Sequence, residues 1–246
     1  MRTGIAVGVS LVALTWPTRS SANVEADIEA GVVFASRSDT RIPGKGGTDL
    51  SLVRELSTPP APAFRLRLGY RIAERHLITA LYAPLRLSSR GVLDRDIDFA
   101  GSSFPAGSSV FALYRFDSYR LTYRYSFIRD EAFELAGGFT GKIRDAEIAL
   151  YGPAVGRKTN TGFVPLLNLH VEWKPRGGAW GAMLDADALA APQGRAEDVL
   201  LALTWTAREG LDVYAGYRTL EGGADNDEVM SFAWLHYAAI GMRVRL

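Results

Sequence analysis

Three histidines, His76, His170 and His236, are all the imidazole this chain of 246 residues offers to acid–base chemistry, and only His170 has suitable company. It shares a parity with Asn168 and Glu172, and Asp185 and Asp187 follow with the same alternation on the next extended segment. Directly opposed residues of antiparallel strands have Cβ atoms about 4.5–5.5 Å apart, so a carboxylate there could orient the ring as a general base. That would suit a hydrolase acting on lipid or peptide. The simpler reading is a histidine inside a salt-bridge network, because no G-x-S-x-G nucleophile motif accompanies it. A catalytic His170–Asp185–Asp187 group therefore stands as an alternative, with no catalytic residue expected.

Other residue clusters promise less. The run Glu221-Gly222-Gly223-Ala224-Asp225-Asn226-Asp227-Glu228 concentrates oxygen donors of the kind hard cations take, with Asp225, Asp227 and Glu228 as its candidate ligands. It lacks the D-x-[DN]-x-[DN]-G spacing of a calcium loop and reads as a solvated turn, so no metal is expected. Gly44-Lys45-Gly46-Gly47 lacks the strand and helix context of a phosphate loop. With no cysteine, thiolate chemistry and disulfides are excluded, and no cofactor is expected. Charges nearly cancel, 28 Lys+Arg against 27 Asp+Glu, so nothing in the bulk charge recruits nucleic acid.

What must position any such residues is a set of strands. Period-2 alternation recurs through the chain: Phe64, Leu66, Leu68, Tyr70 and Ile72 alternate with Arg65, Arg67, Gly69 and Arg71, and Tyr119, Leu121, Tyr123, Tyr125 and Phe127 with Ser118, Arg120, Thr122, Arg124 and Ser126. Ten such segments lie near 24–36, 62–72, 75–88, 108–127, 131–146, 161–174, 178–190, 196–206, 210–221 and 229–246. Residues 47–57 read as an extension of the second strand, and a parity slip near Asp117 as a bulge. Tight connections near 73–74, 129–130, 175–177 and 208–209 alternate with generally longer ones at 37–61, 89–107, 147–160, 191–195 and 222–228. Short turns on one rim and longer loops on the other is the layout of a transmembrane β-barrel, short turns periplasmic.

At the N-terminus Arg2 precedes the apolar run Gly4–Trp16, then a polar stretch ending Ser20-Ser21-Ala22. This is the pattern of a cleaved signal peptide, giving residues 1–22 as leader and 23–246 as one barrel domain. No later apolar run approaches the 18 residues of a membrane helix.

Alternation alone leaves open which face is inside, so a secreted soluble barrel that binds a ligand is a rival. The polar face carries Arg65, Arg67, Arg71, Arg120, Arg124, Lys142, Arg144, Arg218, Arg243 and Arg245 against Glu25, Asp27, Glu29, Glu134, Glu172, Asp185, Asp187, Asp198 and Asp212. Such balance suits a closed interior, where an unpaired charge costs about 3–5 kcal/mol. Tyr70, Tyr125, Phe127, Phe133, Trp173, Trp180 and Trp205 fall on the apolar parity near short turns, as an interfacial girdle would.

The last strand ends Ala239-Ile240-Gly241-Met242-Arg243-Val244-Arg245-Leu246. Gly241, Met242, Val244 and Leu246 make it resemble the C-terminal β-signal of Gram-negative outer-membrane proteins, with Leu where Phe or Trp is usual and Ala239 where a polar residue is usual. The resemblance implies recognition by the barrel assembly machinery, with outer-membrane lipid and lipopolysaccharide as surroundings and both termini periplasmic. The serine and histidine of outer-membrane lipid A deacylases and the paired acids of omptin proteases are not recognisable.

The fold class expected is thus all-β: a single antiparallel up-and-down transmembrane β-barrel of about ten strands. Its function is expected to be structural or loop-mediated binding around a charge-packed lumen, with a narrow small-solute channel as the first alternative. A lumen little wider than that of an eight-stranded barrel speaks against a general porin. His236, on the apolar parity of the last strand, is the residue this register explains least.

Overall fold

A computed structural model describes residues 23–191 and 194–246. The expected signal peptide, residues 1–22, lies outside the described residues. The elements are β1 Val24–Arg41, β2 Leu50–Ser51, β3 Ala61–Ile72, β4 His76–Ala83, β5 Arg86–Val92, β6 Ile97–Phe99 and β7 Ser102–Phe104, followed by the long strands β8 Ser109–Arg129, β9 Phe133–Tyr151, β10 Val155–Trp173, β11 Trp180–Ala191, β12 Gly194–Arg208, β13 Leu211–Asp225 and β14 Met230–Arg245. No helix appears among the described residues.

Ten strands form the wall, each antiparallel to its sequence neighbours, with β5 continuing β4 along the edge of β8. The ring closes where β14 pairs with β1 from Glu25↔Arg245 to Arg41↔Met230. Closure removes the sheet edges that would otherwise leave backbone N–H and C=O groups unpaired in lipid.

The two faces are arranged inside out relative to a water-soluble protein. On β3, Phe64, Leu66, Leu68, Tyr70 and Ile72 face outward and are exposed, while Arg65 and Arg71 are buried. The same holds for Tyr119, Leu121, Tyr123 and Phe127 on β8 against buried Ser118, Arg120, Thr122 and Arg124. A continuous apolar belt of this size is far beyond what a soluble surface exposes, which removes the soluble-barrel alternative. The belt is flanked by aromatic rows: Tyr70, Phe127, Trp173, Trp180 and Trp205 at the short-turn rim, Phe34, Tyr82, Tyr119, Phe163 and Trp234 at the other. That is the girdle pattern of lipid-spanning barrels.

Several boundaries differ from expectation for physical reasons. Residues 147–160 are not a loop: β9 and β10 stay paired from Trp173↔Phe133 to Val155↔Tyr151, a tall hairpin standing above the belt. Residues 47–57 do not extend the second barrel strand: Leu50 and Ser51 pair with Thr40 and Asp39 of β1. No bulge lies at Asp117, since β8 pairs with β9 in register from Phe111↔Tyr151 to Ser126↔Ala136 and shifts only between Ser126 and Ile128. The parity slip there reflects environment. Above Asp117 the inward residues Val110, Ala112 and Tyr114 are apolar and buried, so both faces of β8 read alike. Asp117 itself serves the break between β4 and β5, accepting the Leu85 amide at 3.4 Å and Arg86 Nη2 at 2.8 Å.

The long-loop end of the barrel is capped rather than open. Leu50, Leu52, Leu56, Leu93, Ile97, Phe99 and Phe104 of the loops form one buried cluster with Val33, Tyr114, Ile148, Leu220 and Leu235 of the wall. Burying each such side chain contributes about 1.5–3 kcal/mol, so these loops are folded structure. The lumen thus has two storeys, apolar under the cap and charged within the belt.

Candidate functional site: the charged lumen

The charged storey is built from inward positions of every wall strand but β4, whose inward residues are Leu77, Thr79 and Leu81. Asp198 on β12 is its upper node. Its Oδ2 accepts from Arg65 Nη2 at 2.9 Å and Arg120 Nη2 at 2.6 Å, and its Oδ1 from Arg218 Nη1 at 2.6 Å. Glu29 takes Arg218 Nη2 at 2.7 Å, and Asp187 takes Arg120 Nη1 at 2.8 Å. Below them Asp185 accepts from Arg67 at 2.9 Å and Arg124 at 3.0 Å.

Toward the short-turn rim Arg71 joins Glu25 at 2.9 Å and Glu134 at 3.3 Å, Arg243 joins Glu172 at 2.8 Å, and Arg245 joins Asp212 at 2.7 Å. Asp27 lies 3.5 Å from Arg243 Nε. Some of these contacts, such as Arg65–Asp198, Arg67–Asp185 and Arg243–Glu172, cross the barrel, whereas Arg71–Glu25 and Arg245–Asp212 join paired strands. The carboxylates of the crossing pairs are struts between walls as well as counter-charges.

Two cations expected in this network stand apart from it. Lys142 and Arg144 on β9 make no ion pair among the described residues. Lys142 lies over the Phe116 ring, 4.8 Å from its centroid, and Arg144 donates to Asn160 at 2.9 Å with its Nε unpartnered.

His170 is buried in the lower network. Its Nε2 is 3.6 Å from Glu172 and its Nδ1 3.7 Å from Asp185 Oδ2, both too long for hydrogen bonds. Asp187 turns away to Arg120, Thr140 and Asn168. The sequence thus brings His170 beside one of its two expected aspartates, and that one is occupied by arginines. No serine or threonine hydroxyl hydrogen-bonds His170 among the described residues, and the cavity beside it is ≈ 20 Å³, room for about one water.

The acidic loop does not converge either. The Lys158 ammonium, 2.9 Å from Glu228, holds that carboxyl below the usual carboxylate range, and no group of three ligands suited to a metal forms among the described residues. His236 needs no change of register. It faces outward in the upper aromatic row, stacked on Phe34 at 5.2 Å, with Nε2 2.7 Å from Ser36 Oγ and Nδ1 bonded to Tyr217 Oη. Both polar atoms are satisfied, which makes a histidine tolerable there.

Tyr214 went unread in the sequence although it lies on the polar parity between Asp212 and Arg218. Its hydroxyl donates to Asp27 at 2.9 Å and lies 3.1 Å from Glu29, linking the lower network to the upper. Gly241 makes room for it: a Cβ at that position would sit 2.1 Å from the tyrosine ring. The glycine of the C-terminal signature thus has a packing reason to be glycine.

No family model matches the sequence, and no curated protein does. Among solved structures, the outer membrane protease OmpT from Escherichia coli is similar over 92% of this chain and 98% of that one, at 9% identity and a TM-score of 0.55. The fold is that of an outer-membrane β-barrel. At such identity the likeness speaks for fold alone. The transport unit of the autotransporter AIDA-I from Escherichia coli matches 95% of this chain and 94% of its own at 8% identity and TM-score 0.44. The attachment invasion locus protein Ail of Yersinia pestis matches 90% and 99% at 10% identity and TM-score 0.39, a looser likeness still.

Proposed function

We propose that this barrel is an integral protein of a Gram-negative outer membrane whose lumen is sealed by its own charges, with termini and short turns in the periplasm and the cap at the cell surface. The observation that carries the reading is the Asp198 node, where three guanidiniums from β3, β8 and β13 meet one carboxylate in the middle of the lumen. A network with its partners this close leaves no room for a hydrated ion to pass without breaking several charge-assisted bonds. Lipid and lipopolysaccharide surround the belt, and the final strand is read by the assembly machinery through Gly241, Met242, Val244 and Leu246. That role suits β14, which must pair with both β13 and β1 to close the ring.

The hydrolase alternative finds little support, because His170 is enclosed and its carboxylate neighbours are committed to arginines. The test is conductance of the refolded protein in planar bilayers. Silence toward small cations, anions and neutral solutes is expected across the voltage range. Stepwise openings in the unmodified protein would replace the sealed barrel with a channel.

A further inference from the structure

Above the charged storey the wall has a gap. β10 pairs with β9 along its whole length, but with β11 only from Leu167↔Ala188 to Trp173↔Ala182. From Val155 to Leu166 its other edge has no strand partner among the described residues, although Ser102 Oγ donates to the Val155 carbonyl at 2.8 Å. Pro165, which cannot donate a ladder bond, stands just beyond the last pair, where an edge strand tolerates it.

Opposite this edge the β11–β12 hairpin is low, since β11 ends at Ala191 and β12 begins at Gly194. The gap opens at the upper edge of the lipid-facing belt and continues above it. Phe163 on its rim is 69% exposed and pairs with Ile143, which pairs with Tyr119, so the gap begins at the upper aromatic row. Unpaired backbone at lipid depth is tolerated only where it lines a cavity or is buried in protein.

Behind the gap lies a cavity of ≈ 470 Å³, within the range of small-molecule sites. Its walls are mainly apolar, with Tyr114, Ile148, Leu189, Leu220 and Ala233 among them. Lys142 and Arg144, the two expected luminal cations without ion pairs, line it as well. Lys142 is 4% exposed, a buried ammonium whose charge no carboxylate within 4 Å balances. On the upper side Lys158 reaches over to Glu228. An apolar chamber with one buried and one half-buried cation, neither in an ion pair, and a side opening to lipid matches one ligand chemistry: a long apolar chain with a single anionic head.

We propose that the cavity binds one long-chain fatty acid, which passes between the outer leaflet and the chamber through the β10–β11 gap, its carboxylate held by Lys142 and Arg144. The lateral route rests on the membrane-spanning reading; the binding does not.

Native mass spectrometry of the folded protein in detergent, with palmitate as probe, reads the binding. One palmitate per barrel is expected, with hexadecanol and hexanoate each bound at least about tenfold more weakly, since one lacks the charge and the other the chain. Lys142→Met with Arg144→Met is expected to weaken palmitate about tenfold while the unboiled protein keeps its compact gel mobility. Absence of a palmitate adduct, or equal binding of hexadecanol, would overturn the site.

The route is read in vesicles, by quenching of a fluorophore at Ala233→Cys by spin-labelled stearate already in the bilayer. Leu189→Trp, which narrows the mouth, is expected to slow quenching several-fold. An unchanged rate, or faster quenching when stearate is offered from the aqueous side, would overturn the lateral path. A protein that binds palmitate but fails to insert into vesicles would instead sink the membrane reading.

Discussion

Asp198→Asn is expected to destabilise the folded barrel by about 3–5 kcal/mol, the cost of breaking a buried ion pair by removing one partner. The site is extreme because one carboxylate serves three guanidiniums. Arg65, Arg120 and Arg218 all end within 2.9 Å of it, on side chains almost wholly withdrawn from solvent. Asparagine keeps the volume and one acceptor but loses the charge. Part of the loss is offset locally, because Arg218 keeps Glu29 and Arg120 keeps Asp187. Arg65 is left with only the longer contact to Glu29 at 3.9 Å. The measurement is the denaturant midpoint of the heat-modifiable band in lipid vesicles. Asp225→Asn, an exposed control, is expected to stay within about 0.5 kcal/mol of the parent. A value that small for Asp198→Asn would mean that the node is not closed to water.

Leu201→Arg is expected to cost about 2–4 kcal/mol in bilayers, the measured range for a cation at the midplane of a lipid-facing strand. Leu201 is 61% exposed on β12, midway between Trp205 at the short-turn rim and Glu197 toward the other. Val155, on the hairpin above the belt, is 59% exposed, and Val155→Arg is expected to be nearly neutral. Equal exposure with unequal cost is the signature of a low-dielectric surround. If both substitutions were silent, the exposed apolar face would be meeting something other than lipid.

How much of this was legible in the residues depends on how sharply the two faces of a strand differ. Where they differ in charge, as at Phe64–Ile72 and Tyr119–Phe127, alternation located the strand and separated its two faces, and the balance of charges with the placing of aromatics said which face is inside. The wall strands of the fold came from that signal together with the spacing of short and long connections. Where both faces are apolar, the signal vanishes. Val33, Tyr114, Leu220 and Leu235 point into the upper lumen, yet nothing in their spacing separates them from belt residues. The apolar storey and its cap were therefore invisible, and the change at Asp117 looked like a bulge.

For the candidate site, period 2 put most of the paired charges on one face, but spacing cannot say who pairs with whom. Contacts such as Arg65 to Asp198 join residues 133 apart in sequence. For the same reason Lys142 and Arg144 looked like any other luminal cations. Their lack of ion-pair partners is a property of the assembled wall. Pro165 was readable as apolar, but its role at an unpaired edge appears only once the neighbouring strand is seen to stop short.

The most direct measurement of the central claim uses the fact that the chain has no cysteine. Single cysteines at Leu121, Leu201 and Val155, each carrying a nitroxide, can be placed in the refolded protein in bilayers and their collision rates with oxygen and with a neutral nickel chelate compared. Oxygen should dominate at Leu121 and Leu201, which face the belt, and the water-soluble chelate should dominate at Val155 above it. Chelate-dominated collisions at Leu121 and Leu201 would contradict a barrel that spans lipid.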